Sequence, residues 1–426
     1  MTMTADYAHR IMWRSREPME PQEYQVDWDD APLRHKIYPD VRRVALPPDD
    51  DDTELGAVAR LIRRSYAMTG RRTRVAPQTD IDHQQDVSGI TMSRGTASGG
   101  GMYRVELYLV LADVDGYVPG IYHYSSAHDA LDLLLVGDFR DRVAASVHDE
   151  RLPRVYVLAS VMFWKNAFKY NSFAYHVVST DIGTLFATWS AHSDAAVNVR
   201  LWFDEDDLDD LLGLEGRTES VFAVVTVGEP RGRGAAPPAP SARARVRRGH
   251  YEKSVRTEEF DDVVSVQAEI QADRRPAPDG GAFHALGTAV SSVRPIELAA
   301  PAEYVITPTL DRTRRSSFGL FDSSSPLSQQ ELTAVLRAAS SDAVVCLPGE
   351  GPVPDLIGIS VFVSHVEGVE TGAYDVSGGG RMLHPIPGDA LHPFLQYNYY
   401  LSNYNLEQAA AVIAVRARPG SSRTRQ

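Results

Sequence analysis

Lysine is rare in this chain of 426 residues, and its positions are informative. Of 43 lysines and arginines, lysine stands only at Lys36, Lys165, Lys169 and Lys253. Lys165 and Lys169 fall within five residues of each other. Arginine keeps its charge almost anywhere, whereas a buried lysine readily gives up its proton. GC-rich codon usage with chance clustering is the plain alternative. A second feature is the run Ser98-Gly99-Gly100-Gly101. Backbone N–H groups without side-chain bulk can cradle an anionic or electron-rich ligand. Arg94 stands just ahead of it, as a candidate phosphate or ring partner or else a surface arginine. The 13 histidines include no His-x-x-x-His or His-Glu-x-x-His arrangement. There is no Walker loop, no Gly-x-Ser-x-Gly elbow and no Cys/His pair, so metal hydrolysis, phosphoryl transfer and triad chemistry are unsupported.

Composition narrows the rest. The chain is 43% hydrophobic and 23% charged, as an ordinary globular protein is, and its length suggests two or three domains. The single Cys346 excludes a disulfide within the chain and argues against a cysteine-built zinc site. A net charge of −14 argues against nucleic acid as the main partner. No stretch of ~18 apolar residues suggests a membrane span. Residues 1–24 carry charges throughout, unlike a signal peptide, so a cytoplasmic protein is expected.

The elements that must position these residues follow from periodicity. Residues 1–50 read as an extended arm, and the run Asp49–Asp52 as a solvated helix start. The spacing of Leu55, Val58, Leu61 and Ile62 predicts a helix to Met68. Residues 69–97 read as a long loop. Val105, Leu107, Leu109 and Leu111 predict one face of a strand, and Val118 to Tyr124 a second strand across the Asp115-Gly116 turn. Val155 to Phe163 is apolar enough for a buried strand or helix. Helices are expected over Thr180 to Ser190 and Asp204 to Leu212, and a strand over Val221 to Val227. Residues 229–249, rich in Pro, Arg, Ala and Gly, read as a linker or insertion. A helix over Leu327 to Ala339, capped from Ser323–Ser325, and a strand over Leu356 to Val363 complete the pattern.

The two halves resemble each other. Val105 to Tyr122 aligns without a gap on Ile357 to Tyr374, pairing Gly116, Gly120 and Tyr122 with Gly368, Gly372 and Tyr374. Leu131 then pairs with Leu383. In the same register Ser98-Gly99-Gly100-Gly101 faces Glu350-Gly351-Pro352-Val353. The second loop carries a carboxylate and lacks an N–H at proline, so only the first copy suits an anionic ligand. The second copy also stops before any counterpart of the lysine segment. Its glycine triplet Gly378–Gly380 falls in a predicted hairpin turn, where a structural role suffices.

These residues resemble a known family. Ser98–Gly101, the strand Val105–Leu111, Pro119-Gly120-Ile121-Tyr122-His123-Tyr124 and Lys169-Tyr170 are similar to the SagB-type branch of the nitroreductase superfamily. So are Asp181-Ile182-Gly183, Leu208 to Leu214 with the strand ending at Gly228, and the segment with Trp28, Pro32, Lys36, Tyr38, Pro39 and Leu46-Pro47-Pro48. The likeness covers about residues 24–228. Arg314-Arg315-Ser316-Ser317-Phe318-Gly319 is similar to the nitroreductase motif Arg-Arg-Ser-x-Arg, whose arginines hold the flavin phosphate, but departs at the last position. Arg63-Arg64-Ser65 is a rival match.

The resemblance implies an α+β, nitroreductase-like fold, with a central, mostly antiparallel sheet flanked by helices and a degenerate, truncated second copy. The expected division is an arm (1–50), a catalytic domain (51–228), a linker or insertion (229–303) and the second copy (304–426). It implies FMN, with Arg94, Ser98, Gly99, Gly100, Arg314, Arg315 and Ser316 as candidate contacts. It implies oxidation of thiazolines or oxazolines to azoles in a ribosomally made peptide, which removes a hydride and a proton and therefore needs a base. Lys169 and Tyr170 match the family's catalytic pair. Lys165 is expected to face surface or substrate. Phe173 and His176 stand where arginines are common. Expected partners are an azoline-containing precursor peptide, a cyclodehydratase complex and possible self-association as a homodimer. A general NAD(P)H-dependent flavin reductase and a non-catalytic peptide-binding scaffold are the alternatives.

Overall fold

The computed structural model describes residues 2–73, 90–114, 116–150, 152–228, 244–273, 294–303, 313–314, 321–340, 345–347, 351–352, 357–388, 391–399 and 404–417. In chain order the first part comprises α1 (Met3–Trp13), β1 (Arg42–Ala45), α2 (Glu54–Ser65), β2 (Met68–Thr73), β3 (Ile90–Arg94), β4 (Val105–Leu111), β5 (Gly120–Ser125), β6 (Ala130–Val136) and α3 (Arg140–Ser146). There follow β7 (Val155–Met162), α4 (Phe163–Tyr170), α5 (Ala174–His192), β8 (Val197–Arg200), α6 (Glu205–Leu212), β9 (Glu219–Val227) and α7 (Asp261–Ala272). The second part comprises β10 (Ile296–Glu297), α8 (Gln329–Ala339), β11 (Val345–Leu347), β12 (Gly351–Pro352), β13 (Ile357–Val363), β14 (Gly372–Ser377), β15 (Met382–Ile386), α9 (Leu391–Asn398) and β16 (Ala411–Ala417).

The larger sheet runs β1-β6-β5-β4-β7-β9-β8-β11-β12. It is antiparallel except where β11 joins β8. Both of its faces are covered. Leu107, Leu109, Val157 and Ala159 pack with Leu55, Ile62, Leu185 and Trp189 of α2 and α5. Tyr108, Val110, Tyr156 and Leu158 pack on the opposite side with Val143, Leu208 and Leu211 of α3 and α6. This is why β4 and β7 read as nearly continuous apolar runs: every residue of both is buried.

The strand order occurs twice. The smaller sheet runs β10-β15-β14-β13-β16, which repeats the order β1-β6-β5-β4-β7 strand for strand. The Tyr122 hydroxyl donates to the Val118 carbonyl at 2.7 Å, and Tyr374 repeats the bond to Glu370 at 2.6 Å. Leu131 and Leu383 are both buried. Gly378–Gly380 occupy the turn between β14 and β15.

Several segments differ from their sequence reading. The arm holds α1, which the sequence hides because only Tyr7 and Ile11 are buried. Residues 229–303 include α7, anchored by Val263, Val266 and Gln267. The two helices meet through the Arg10–Asp262 ion pair at 2.7 Å. Residues 69–97 contain the β2–β3 hairpin rather than loop alone. The helix expected at Thr180 begins at Ala174. The cap of α8 is Ser328, in a capping box with Glu331, not the serines at 323–325. Val155 to Phe163 resolves as the strand β7, with Phe163 opening α4.

Candidate functional site

The glycine run closes the chain between β3 and β4 as a single 3-10 turn, Gly99–Gly101. Gly100 has φ +61° and Gly101 φ +66°, a region that side chains other than glycine rarely adopt. Not every N–H of the turn is open, as the sequence reading expected. Gly99 N–H donates to Asp181 Oδ1 at 2.7 Å, and Gly101 N–H to the Ser98 carbonyl at 2.9 Å. Ser98 Oγ donates to Asp181 Oδ2 at 2.6 Å. Asp181, on α5, thus locks the turn to the helix. Burial raises its pKa, against the lowering pull of the Ser98 and Gly99 bonds.

Lys169 and Tyr170 end α4, where Asn171 at φ +42° stops the helix. Although adjacent, both reach the same place. A Cβ built on Gly100 would lie 2.4 Å from Tyr170 Oη and 2.6 Å from Lys169 Nζ. Lys169 Nζ lies 5.1 Å from the centre of the Tyr170 ring, and both residues are half-buried. Burial raises the Tyr170 pKa, so the hydroxyl is a proton donor at neutral pH. Phe173 and His176 line the same end: the Phe173 ring is 6.3 Å from Tyr170 and 5.3 Å from His176. The Arg14 guanidinium covers Phe173 at 4.4 Å.

Lys165 corrects the sequence reading. It does not face surface or substrate; it is buried and donates to Glu106 Oε1 at 2.6 Å. His123 meets the other oxygen of Glu106 at 3.0 Å. Burial, the largest influence on Lys165, pulls its pKa below the ordinary lysine value despite Glu106. Burial alone would raise the Glu106 pKa; Lys165, His123 and Lys36 outweigh it and hold the carboxyl well below the usual range. Beside this group lies a second buried pair, Lys36 with Glu219, joined by Tyr108 and Ser160.

Arg94 is buried, as a site residue can be and a surface arginine is not. Its guanidinium lies 4.2 Å from the Tyr66 ring centre and 4.7 Å from that of Tyr103. Its Nη2 donates to Ser126 Oγ at 3.2 Å, while Nη1 has no hydrogen-bond partner among the described residues. Arg104 is 1% exposed, and its Nε and Nη1 also lack partners. Burial pushes its pKa down to about 9. Sequence reasoning missed Arg104. The signal was its place: an arginine directly before a strand whose residues are almost all apolar sits where the chain enters the core.

From the second part, Arg314 reaches the carbonyls of Gly95 and Thr96 at 3.4 and 3.5 Å, just ahead of the glycine turn. Arg315 and Ser316 lie outside the described residues. The rival motif is structural: Arg63 pairs with Asp49 at 2.8 Å, and Ser65 Oγ accepts from the buried Trp189 Nε1 at 2.8 Å. Among the described residues no three His, Cys, Asp or Glu side chains come together as a metal site, and no helix is long and apolar enough to cross a membrane.

No protein-family model matches the chain, and neither does any curated protein. Solved structures do match. A crystal structure described as a nitroreductase, from Anabaena variabilis ATCC 29413, superposes with a TM-score of 0.70 at 18% identity, over 98% of this chain and 85% of that one. The chain has the nitroreductase fold. The Escherichia coli microcin synthetase McbBCD complex, solved with truncated pro-MccB17 bound, overlaps 53% of this chain and 82% of its own at 15% identity and a TM-score of 0.33.

The nitroreductase fold implies a flavin, and two observations test whether these residues suit one. The turn at Gly100 has no room for a side chain beside Lys169 and Tyr170. Two buried guanidinium groups, of Arg94 and Arg104, keep N–H donors without a partner among the described residues. The bare backbone at Gly100 fits close approach of a planar ligand. The smaller sheet does not repeat the buried polar group around Glu106. The position of Glu106 is taken by Gly358, and those of His123 and Ser160 by Asp375 and Arg416, which pair at 2.8 Å. The smaller sheet thus repeats the strand order without these side chains.

Proposed function

We propose that this protein is an FMN-dependent dehydrogenase that oxidises thiazolines or oxazolines to azoles in a ribosomally synthesised peptide. The observation that carries the reading is the meeting of Lys169 Nζ and Tyr170 Oη at Gly100. A base and a neutral hydroxyl donor beside one glycine turn suit removal of a proton from a ring carbon. Lys169 accepts that proton. Tyr170, kept protonated by burial, orients the azoline by donating to it. Bound FMN would supply the acceptor for the electron pair and the second hydrogen, with dioxygen as the terminal oxidant.

Arg94, Ser98, Gly99 and Gly100 of the first copy would hold the flavin, the glycines by allowing close backbone approach. Arg314 would act through the carbonyls of Gly95 and Thr96, and Arg315 and Ser316 belong to the same proposed set. The substrate is an azoline-containing precursor peptide, delivered by a cyclodehydratase complex, and the chain is proposed to work alone or as a homodimer. The general flavin reductase reading lacks a reason for the Lys-Tyr pair.

Purified protein should be yellow, with flavin bands that bleach on reduction. Colourless protein that takes up no added FMN sinks the proposal. Lys169→Ala should slow azoline oxidation ~10²–10⁴-fold, the usual contribution of a positioned base, and spare NADH-driven dye reduction. Equal loss of both activities in Lys169→Ala and Tyr170→Phe would count against a dedicated azoline base.

A further inference from the structure

The N-terminal arm holds the segment that carries Lys169 and Tyr170, and its hydrogen bonds bracket the pair. The Tyr24 hydroxyl donates to the carbonyl of Phe168, the residue before Lys169, at 2.8 Å. The side-chain amide of Asn171, the residue after Tyr170, donates to the Pro21 carbonyl at 3.3 Å. The Tyr7 hydroxyl donates to the Ser172 carbonyl at 2.7 Å and accepts from the His176 N–H at 3.2 Å. One buried side chain thus spans the junction of α4 and α5. The Trp28 ring adds an edge contact to Phe168, with 5.4 Å between ring centres. The arm is itself anchored on its far side. Arg10 of α1 donates twice to Asp262 of α7, at 2.7 and 2.8 Å, and the Tyr24 ring meets Phe260 edge-on at 5.1 Å.

The backbone shows why the segment needs a hold. The last carbonyls of a helix have no partner within it, and Phe168 lies in the final turn of α4. Asn171 has φ +42° and ψ −134°, a conformation that residues other than glycine rarely adopt. Such strain persists only where the surroundings over-determine it, and it lies directly after Tyr170. We propose that the arm is a brace that sets where Lys169 and Tyr170 point, with Tyr7 and Tyr24 as positioning residues. That the pair performs the oxidation rests on the dehydrogenase reading; the brace does not.

The scarcity of lysine makes the test direct. Full-length protein labelled with carbon-13 only at lysine Cε should give four side-chain NMR signals. Lys169→Arg and Lys253→Arg assign two of them, and the other two belong to the buried Lys36 and Lys165. Tyr7→Phe and Tyr24→Phe keep each ring and remove only its grip on the backbone. Each should move the Lys169 signal and lower kcat for azoline oxidation roughly tenfold or more, since small misplacements of a reacting group are costly. FMN affinity and the Lys36 and Lys165 signals should stay as in wild type. A Lys169 signal that stays in place in both variants would overturn the proposal. So would a shift of Lys36 and Lys165 along with it, which marks a general loosening of the fold. Protein that binds FMN but oxidises no azoline fails the dehydrogenase reading alone, and the lysine spectrum still decides the brace.

Discussion

The Lys165 ammonium donates to the Glu106 carboxylate at 2.6 Å inside the layer between β4 and α4, with both side chains about 5% exposed or less. An ion pair so placed stabilises only as a pair, because each charge has left water for the other. Glu106→Gln strands a buried ammonium and should cost ~3–5 kcal/mol in urea unfolding. Glu106→Leu with Lys165→Met should cost much less than the single change. The pH dependence has a definite sign. The folded-state pKa values of Glu106 and Glu219 are both depressed, so their contribution is complete above the ordinary glutamate value of 4.5. It is lost as pH falls below that value. Urea midpoints measured across acid pH check this.

Asp209 predicts the opposite trend. Its carboxyl accepts from Val221 N–H and Ser220 Oγ at 2.8 Å and from Gln271 Nε2 of α7 at 3.0 Å. Burial still pushes its pKa up to about 7. The folded state thus favours the protonated form, and stability falls as pH rises from the ordinary 3.8 towards 7. The slope should approach ~1.4 kcal/mol per pH unit at most. Asp209→Asn should flatten the profile there and be more stable than wild type at pH 8.

Gly100 and Gly101 share a left-handed backbone but not their surroundings. A Cβ on Gly100 meets Tyr170 Oη and Lys169 Nζ, while one on Gly101 meets nothing within 4 Å. Both Gly→Ala changes should cost ~1 kcal/mol of backbone strain. Gly100→Ala should also displace the Lys-Tyr pair and weaken flavin binding. A Gly101→Ala variant that loses flavin as completely would contradict this.

The two tyrosine corners should behave alike. Tyr122→Phe and Tyr374→Phe each remove one hydrogen bond to a carbonyl four residues upstream. Each should cost ~1 kcal/mol in its own sheet. Hydrogen exchange of the β4–β5 and β13–β14 hairpins reads each loss separately.

Much of the frame was legible because it is local. Alternation in Val105–Leu111 and Ile357–Val363 follows from strand geometry, and the spacing Gly116, Gly120, Tyr122 survives in the second copy as Gly368, Gly372, Tyr374. The glycine turn and Lys169 were also marked by residue type, and Tyr170 by the family resemblance. Helices α1 and α7 escaped because few of their residues are apolar and buried, and each rests on contacts with the other.

The sequence by itself determined the duplication, the alternating strands and the identity of the residues that meet at Gly100. Only the tertiary structure decided which charges go inside. Lys165 reads as a surface lysine until Glu106, 59 residues away, comes to meet it. Arg104 drew no notice in the sequence, yet it is buried in the fold. Local periodicity records where apolar surface must turn. It does not record whether a charge will find a counter-charge, because that partner is supplied by distant chain brought close on folding.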